Sequence, residues 1–180
     1  MIRKLSVLIL ALSLLFVLTG CGGSAATGEK TETKTVTVTD AAGRTVTLKQ
    51  PIKSYAISTF DLIDFIIPLK GEEAFAMLKG VGDSGGKESY DKIYEAKFPQ
   101  YKDQWKIISP HNAPFDAEAI LTARPDVLIV NSAMQGHLHA MDIEAKLTDA
   151  GIALLLIDVP GTGGQSPQDL YRLLGEVFEE

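Results

Sequence analysis

His111, His137 and His139 are the only imidazoles in the chain, and metal chemistry would have to begin with them. His137 and His139 stand two apart near an expected helix start and could share a metal with a third ligand. Yet no H-x-x-x-H or H-E-x-x-H occurs, and no cysteine can join them. Histidines set in loops to bond backbone groups are the favoured reading. Gly80-Val81-Gly82-Asp83-Ser84-Gly85 matches G-x-G-x-x-G in form. A dinucleotide fingerprint needs an apolar helix packed directly behind it, and Gly86-Lys87-Glu88-Ser89-Tyr90 does not supply one. A phosphate-binding P-loop fails too, because Val81 and Glu88 occupy positions that need Gly and Ser or Thr. Hydrolysis would need an activated serine, but there is no G-x-S-x-G and no serine with an evident His and Asp beside it. Asp61 and Asp64, three apart at a helix start, are explained by the helix dipole. Nothing in this inventory requires an enzyme, and no cofactor is expected.

Those residues must be carried by elements, and the first is an address. Arg3 and Lys4 precede an apolar run from Leu5 to Leu18 broken only by Ser6 and Ser13. That run is short of the roughly 20 residues a membrane-spanning helix needs, and it suits a signal-peptide core. It ends in Leu18-Thr19-Gly20-Cys21, which resembles a bacterial lipobox, with the chain's single cysteine where lipid would be attached. Residues 1–20 are therefore expected to be a lipoprotein signal peptide. Residues 21–34, small and polar, read as a flexible tether. The domain would be exported and held by lipid on Cys21 to a membrane, outside the cytoplasm.

The 180-residue chain carries 17 basic and 23 acidic side chains. Removing Arg3 and Lys4 with the first segment leaves a net charge of −8, which argues against nucleic acid as a partner. Hydrophobic residues at 46% with 22% charged give a globular composition, and the length suits one ordinary domain.

Within that domain, residues 35–39 and 44–48 alternate apolar and polar types around the turn Asp40-Ala41-Ala42-Gly43, predicting a β-hairpin. Short apolar runs then alternate with helical stretches. Strands are expected over 54–58, 76–81, 106–108, 127–130 and 153–157. Helices are expected over 61–67 (stopped by Pro68), 87–97, 116–123 (capped by Asp116), 139–150 and 167–180 (capped by Ser166). The fold class is α/β, a single Rossmann-like lobe with a mostly parallel sheet plus an N-terminal β-hairpin. Ligands of such sheets sit beyond the carboxyl ends of the strands. That rule selects the loops at 58–60, 82–84, 109–113, 131–135 and 158–161, rich in hydroxyls, amides and glycine. Ser58, Thr59, Phe60, Asp83, Ser84, His111, Asn112, Asn131, Ser132 and Met134 are the candidate ligand-facing residues. Trp105 and Phe115, flanking the third loop, read as core or rim packing. Leu170, Leu173, Leu174 and Val177 form an apolar stripe that must pack on the lobe, fray or dimerise, and self-association or a loose C-terminus is expected.

Four segments together resemble the ABC-transporter substrate-binding lipoproteins of the iron-siderophore, cobalamin and haem class, a periplasmic-binding-protein family. They are the lipobox; TVTVTDAAGRTVTLKQPIKSYAIS; FDAEAILTARPDVLIVNS, from Phe115 to Ser132; and IEAKLTDAGIALLLIDVP, from Ile143 to Pro160. The resemblance implies two α/β lobes joined by a long helix and closing on a metal chelate, with an ABC permease and its ATPase subunits as partners. On this plan 35–166 is the N-terminal lobe, 167–180 begins the interlobe helix, and the second lobe is missing. Glu118 matches the glutamate that docks on permease arginines. Anionic siderophores are often gripped by arginine in this class, and after cleavage only Arg44, Arg124 and Arg172 remain, none in a ligand-facing loop. A strongly anionic ligand is therefore disfavoured. The alternatives are a surface-anchored, His-dependent metal chaperone or hydrolase, and a degenerate half-lobe that serves as an interaction protein.

Overall fold

The computed structural model describes residues 34–82, 86–110, 113–139, 142–160 and 164–180. The hairpin forms as expected, β1 Thr35–Thr39 pairing antiparallel with β2 Thr45–Lys49 so that Val38 faces Val46 and Thr37 faces Thr47. Val38, Val46 and Leu48 turn inward, while the Thr37 and Thr47 hydroxyls meet 3.3 Å apart on the outer face. Gly43 adopts φ +73°, which closes the turn without a Cβ penalty.

Behind the hairpin, β3 Tyr55–Ile57, β4 Leu78–Gly82, β5 Lys106–Ser109, β6 Val127–Asn131 and β7 Ala153–Ile157 form one parallel sheet in the order β5-β4-β3-β6-β7. Helices cover both faces: α1 Ile63–Lys70, α2 Glu73–Met77, α3 Gly86–Ile93, α4 Ala117–Ala123, α5 Gln135–His139, α6 Ile143–Asp149 and α7 Pro167–Phe178. A parallel sheet covered on both sides requires strands apolar throughout, and this is why Val127 to Val130 are all buried. Alternate residues serve opposite faces. Val127, Ile129, Leu155 and Ile157 join the core beneath the hairpin, α1, α2 and α7. Leu128, Val130 and Leu156 join Ile120, Ile143 and Leu147 beneath α4 and α6.

The helix expected over 87–97 ends at Ile93, and three other expected boundaries are wrong for reasons visible in the structure. α1 runs two residues past Pro68 and ends at Gly71, whose φ is +57°. Proline removes the donor to the Asp64 carbonyl, but Asp64 and Pro68 are both exposed, so water can serve it. Ala76 and Met77 are helical, because α2 drives Phe75 and Met77 inward and gives the Ala74 carbonyl to the Tyr55 hydroxyl at 2.7 Å. The helix expected over 139–150 begins only at Ile143, with Asp142 at φ +51° ahead of it, and a separate short helix, α5, precedes it over Gln135–His139. Leu138 and Ile143 are both fully buried in one cluster. Five residues apart on a continuous helix, they would point about 140° from each other.

α7 also settles against expectation. Its stripe of Leu170, Leu173, Leu174 and Val177 is buried, and Phe178 packs edge-on against Tyr55 with ring centres 5.7 Å apart. The Gln50 side-chain amide donates to the carbonyls of Glu176 and Val177 at 2.9 and 3.1 Å, and Lys70 Nζ to that of Phe178 at 3.2 Å. These side chains take up carbonyls that the end of a helix leaves without partners. Of the three outcomes open to the stripe, packing on the lobe is the one observed, so self-association and fraying lose their cause.

Candidate functional site

From β3 the chain steps outward through β4 to β5, then crosses back to β6 and continues outward through β7. The reversal leaves a crevice at the carboxyl ends of β3 and β6, where open sheets of this kind place ligands. Two candidates meet there. The Asn131 N–H donates to Ser58 Oγ at 3.0 Å, and the Ser58 N–H donates to the Ile129 carbonyl at 2.9 Å. Ser58 is 1% exposed and its hydroxyl is taken by Asn131, so, against expectation, it holds the two strand ends together and does not face a ligand. Thr59 follows in extended conformation, and its Oγ1 is buried with no hydrogen-bond partner. A hydroxyl left in that condition costs about 1–3 kcal/mol, and it stands beside the crevice.

Around this point the loops are tied down. Asn131 Oδ1 accepts from the Ala133 N–H at 3.1 Å, capping the short 3-10 turn of Ser132–Met134. The Ser132 hydroxyl donates to Asp158, whose other carboxylate oxygen accepts from Gly164 N–H at 3.2 Å. Gln165 Oε1 accepts from the Asp158 N–H at 3.2 Å, so the β6 and β7 loops form one connected rim. Ser109 Oγ donates to the Ala113 carbonyl at 3.1 Å and closes the β5 loop. Met134 is half-buried against the core under α4 and α6. The structure thus brings Ser58, Thr59, Asn131, Ser132 and Met134 to one edge.

Phe60 is a correction. It is 3% exposed and packs among Tyr90, Tyr94 and Trp105, with ring centres 6.1, 6.1 and 5.7 Å away, so its ring is core and not presented at the edge. Trp105 and Phe115 are buried, as expected of packing residues. Tyr94 donates its hydroxyl to Asp64, and burial together with that carboxylate pushes the phenol up to about 12. Cys21, Asp83, Ser84, His111 and Asn112 lie outside the described residues. His137 sits exposed on α5, and no group of three His, Cys, Asp or Glu able to hold a metal occurs among the described residues. The G-x-G run has a steric explanation. Gly80 and Gly82 lie inside β4, where a Cβ on Gly80 would come 2.7 Å from Ile108 Cγ2 and one on Gly82 only 1.8 Å from the Ser58 carbonyl oxygen.

Three carboxylates were not named as functional residues. Asp158 follows β7 and organises the rim; its loop at 158–161 was selected, but no residue of it was named. Asp126, between Pro125 and β6, accepts from the N–H groups of Lys53 and Ser54 at 2.8 and 2.9 Å and so fixes the entry to β3. Asp40, 5% exposed in the hairpin turn, binds Arg44 at 2.7 Å, and Arg44 reaches on to Glu144 at 2.5 Å.

Glu118 is exposed in the first turn of α4, beside a groove of about 500 Å³ lined by Pro110, Pro114, Leu121 and Lys146. Asp116 caps that helix, accepting from the Ala119 N–H at 3.0 Å. Asp116→Ala is expected to lower the urea-unfolding free energy by about 1 kcal/mol, whereas Glu118→Ala, which removes an exposed first-turn charge, costs about 0.3–0.5 kcal/mol. A second cavity, about 460 Å³, lies between β2, β7 and α6 near Arg44 and Thr148. Neither cavity is at the crevice, which is an open edge in this lobe. No described helix is long and apolar enough to cross a membrane.

No protein-family model and no curated protein matches the chain. Solved structures do. The TroA-like periplasmic binding protein FepB from Veillonella parvula superposes with a TM-score of 0.68 at 23% identity, over 80% of this chain and 42% of that one. The fold is that of a single lobe of the TroA-like periplasmic binding proteins. The molybdate periplasmic binding protein MolA of a Haemophilus influenzae ABC transporter gives 0.57 at 18% identity, over 80% and 46%. The heme binding protein HmuT gives 0.54 at 17%, over 81% and 41%. The chain spans less than half the length of each structure it matches here.

Proposed function

We propose that this chain is the substrate-binding component of an ABC importer, or the N-terminal half of one, and that it delivers a metal chelate of the siderophore, haem or cobalamin kind. It works by binding and docking, without catalysis. The observation that carries this reading is the polar crevice at the strand-order reversal, in a lobe whose fold is shared with proteins named for binding heme and molybdate. Export and a lipid on Cys21 would hold the domain outside the cytoplasm beside its permease, and the Leu18-Thr19-Gly20-Cys21 sequence supports that placement. Residues 167–180 would begin the helix leading to a second lobe.

One lobe leaves one side of a ligand in water, so affinity is expected to be far below that of a two-lobed clamp. Equilibrium titration with ferric hydroxamates, haem and cobalamin tests the reading, first on this chain and then on the chain joined to a C-terminal lobe. Binding at micromolar to millimolar levels by the first, tightened in the second, is the expected result. No binding by either form sinks it.

Glu118 is the proposed permease contact. It is exposed, lies on the same edge as the crevice and makes no part of the core. An exposed charge at such an interface steers encounter. Glu118→Ala is expected to slow association with the permease about tenfold at low salt and to leave ligand affinity unchanged. Surface-plasmon measurements on reconstituted permease read both quantities.

A further inference from the structure

The outer edge of β2 is a row of main-chain groups with nothing opposite them. In an antiparallel pair, facing residues alternate between those that exchange both main-chain bonds and those that exchange none. Asp40 N–H donates to the Arg44 carbonyl at 3.0 Å and Gln50 N–H to the Lys34 carbonyl at 2.7 Å, which fixes the phase of that alternation. Val46 and Leu48 are then the bonded positions, facing Val38 and Val36. The N–H and C=O groups of Thr45, Thr47 and Lys49 point away from β1, and they have no hydrogen-bond partner among the described residues. All three residues are exposed, and neither a bulge nor a proline interrupts the strand.

The groove of about 460 Å³ runs along this same edge. Thr45, Thr47 and Lys49 line it and no residue of β1 does, so it lies on the side of β2 turned from its partner. Its far wall is the amino end of β7, from Gly151 to Leu154. There the Ala153 N–H donates toward β6, to the Asp126 carbonyl, so the Leu154 N–H points outward, again without a partner among the described residues. The rest of the β7 edge is covered: Ala41 and Asp40 take up Leu156, and Arg44 takes the Leu154 carbonyl.

Groups that repeat every second residue, about 6.8 Å apart, find their complement in another extended main chain. A strand takes about 4.8 Å in the pairing direction and about 10 Å between packed layers, so 460 Å³ holds roughly three residues of one. Charge then selects among strands. Arg44 is taken by Asp40 and Glu144, and Asp126 by the N–H groups of Lys53 and Ser54. Lys49 has no acidic partner among the described residues, and it favours an acid directly opposite.

We propose that β2 and this groove form a second binding site, which receives an extended peptide segment of another protein by antiparallel strand addition, with an acidic residue opposite Lys49. The site lies toward the amino ends of β6 and β7, apart from the crevice at their carboxyl ends, and does not depend on the function proposed above. A second copy of this chain fits less well. β2 paired with itself about Thr47 would set Lys49 beside the other copy's Arg44, like charge near like.

The test uses the full chain and blocked seven-residue peptides of alternating threonine and valine, one with glutamate and one with lysine at the first position. Fluorescence anisotropy reads their affinity. The glutamate peptide is expected to bind at least about threefold tighter at low salt, an order that Lys49→Glu reverses. N-methylation of the alternate amides turned toward β2 is expected to weaken binding at least about tenfold, while methylation of the other alternate set leaves it unchanged. Hydrogen exchange at the Thr45, Thr47 and Lys49 amides should slow when peptide is bound. No binding of either peptide up to about 1 mM overturns the proposal, as does equal sensitivity to the two methylation patterns or an order of affinity indifferent to Lys49→Glu. Protection of the same three amides on raising the chain concentration alone would assign the edge to a second copy and overturn the peptide site.

Discussion

Gly82→Ala is expected to abolish the cooperative folding transition, or to lower stability by more than about 4 kcal/mol. The added Cβ would lie 1.8 Å from the Ser58 carbonyl oxygen and 2.8 Å from its carbon. Both are backbone atoms of the strand end next to β4, so no side-chain rotation relieves the clash. The register between β4 and β5 already shifts between Val81 and Gly82, which leaves little slack. Separating β3 from β4 at this point would also pull on Ser58, whose hydroxyl accepts from the Asn131 N–H and ties the end of β3 to that of β6. Urea titration followed by circular dichroism reads the effect, and a mutant with wild-type midpoint would show that the approach is looser than described. Gly136→Ala is the control. It sits in α5 with nothing within 4 Å of the new methyl, and it should be neutral or stabilise by about 0.5–1 kcal/mol.

Asp40→Ala is expected to cost about 3 kcal/mol, the second-largest single effect. Its carboxylate is buried and accepts from the N–H groups of Ala42 and Arg44 at 3.0 and 2.9 Å, from Arg44 Nε at 2.8 Å and from the Leu156 N–H at 3.3 Å. The last contact lies on the outer edge of β7, where the Ala41 N–H also donates to the Leu156 carbonyl at 2.9 Å. Removing the carboxylate leaves a half-buried guanidinium with Glu144 as its remaining acidic partner and frees backbone donors on a sheet edge. Asp40→Asn should recover part of the loss, since one amide oxygen can still accept. If both variants unfold at the wild-type midpoint in urea, the turn does not anchor the hairpin to the sheet.

These two sites differ in how readable they were. The turn Asp40-Ala41-Ala42-Gly43 announces itself by residue type, and the hairpin formed where expected. What Asp40 does beyond the turn depends on Leu156, more than a hundred residues away. Gly82 was noticed as part of a glycine motif, set aside as a nucleotide signal, and as the start of the loop at 82–84, whereas it is the last residue of β4. The reason glycine is required there, the Ser58 backbone, exists only once β3 and β4 are paired. Phe60 shows the same limit from the other side. Its position after a strand end selected it as ligand-facing, yet the ring turns toward Tyr90, Tyr94 and Trp105, because an aromatic cluster on that face offered burial.

Local physics was enough wherever one residue's preference and its neighbours' agree. The alternation in β1 and β2, the continuous apolar runs of β6 and β7, Asp116 and Ser166 as caps, and Gly151 at φ +72° after α6 are of this kind. They establish an α/β lobe with parallel strands, and the reversal of strand order then follows as one of few chain paths a parallel sheet permits. The tertiary structure decided the rest, because each remaining choice was a competition between distant segments. Pro68 stayed in a helix because the carbonyl it deprives is wet. The helix expected from residue 139 began only at Ile143, behind a separate α5, because Leu138 and Ile143 serve one core. The α7 stripe found its cover in β1, α1 and Tyr55. The residues at the crevice were selected by type and position, but their partners, above all Asp158, came from loops that only the assembled sheet brings together.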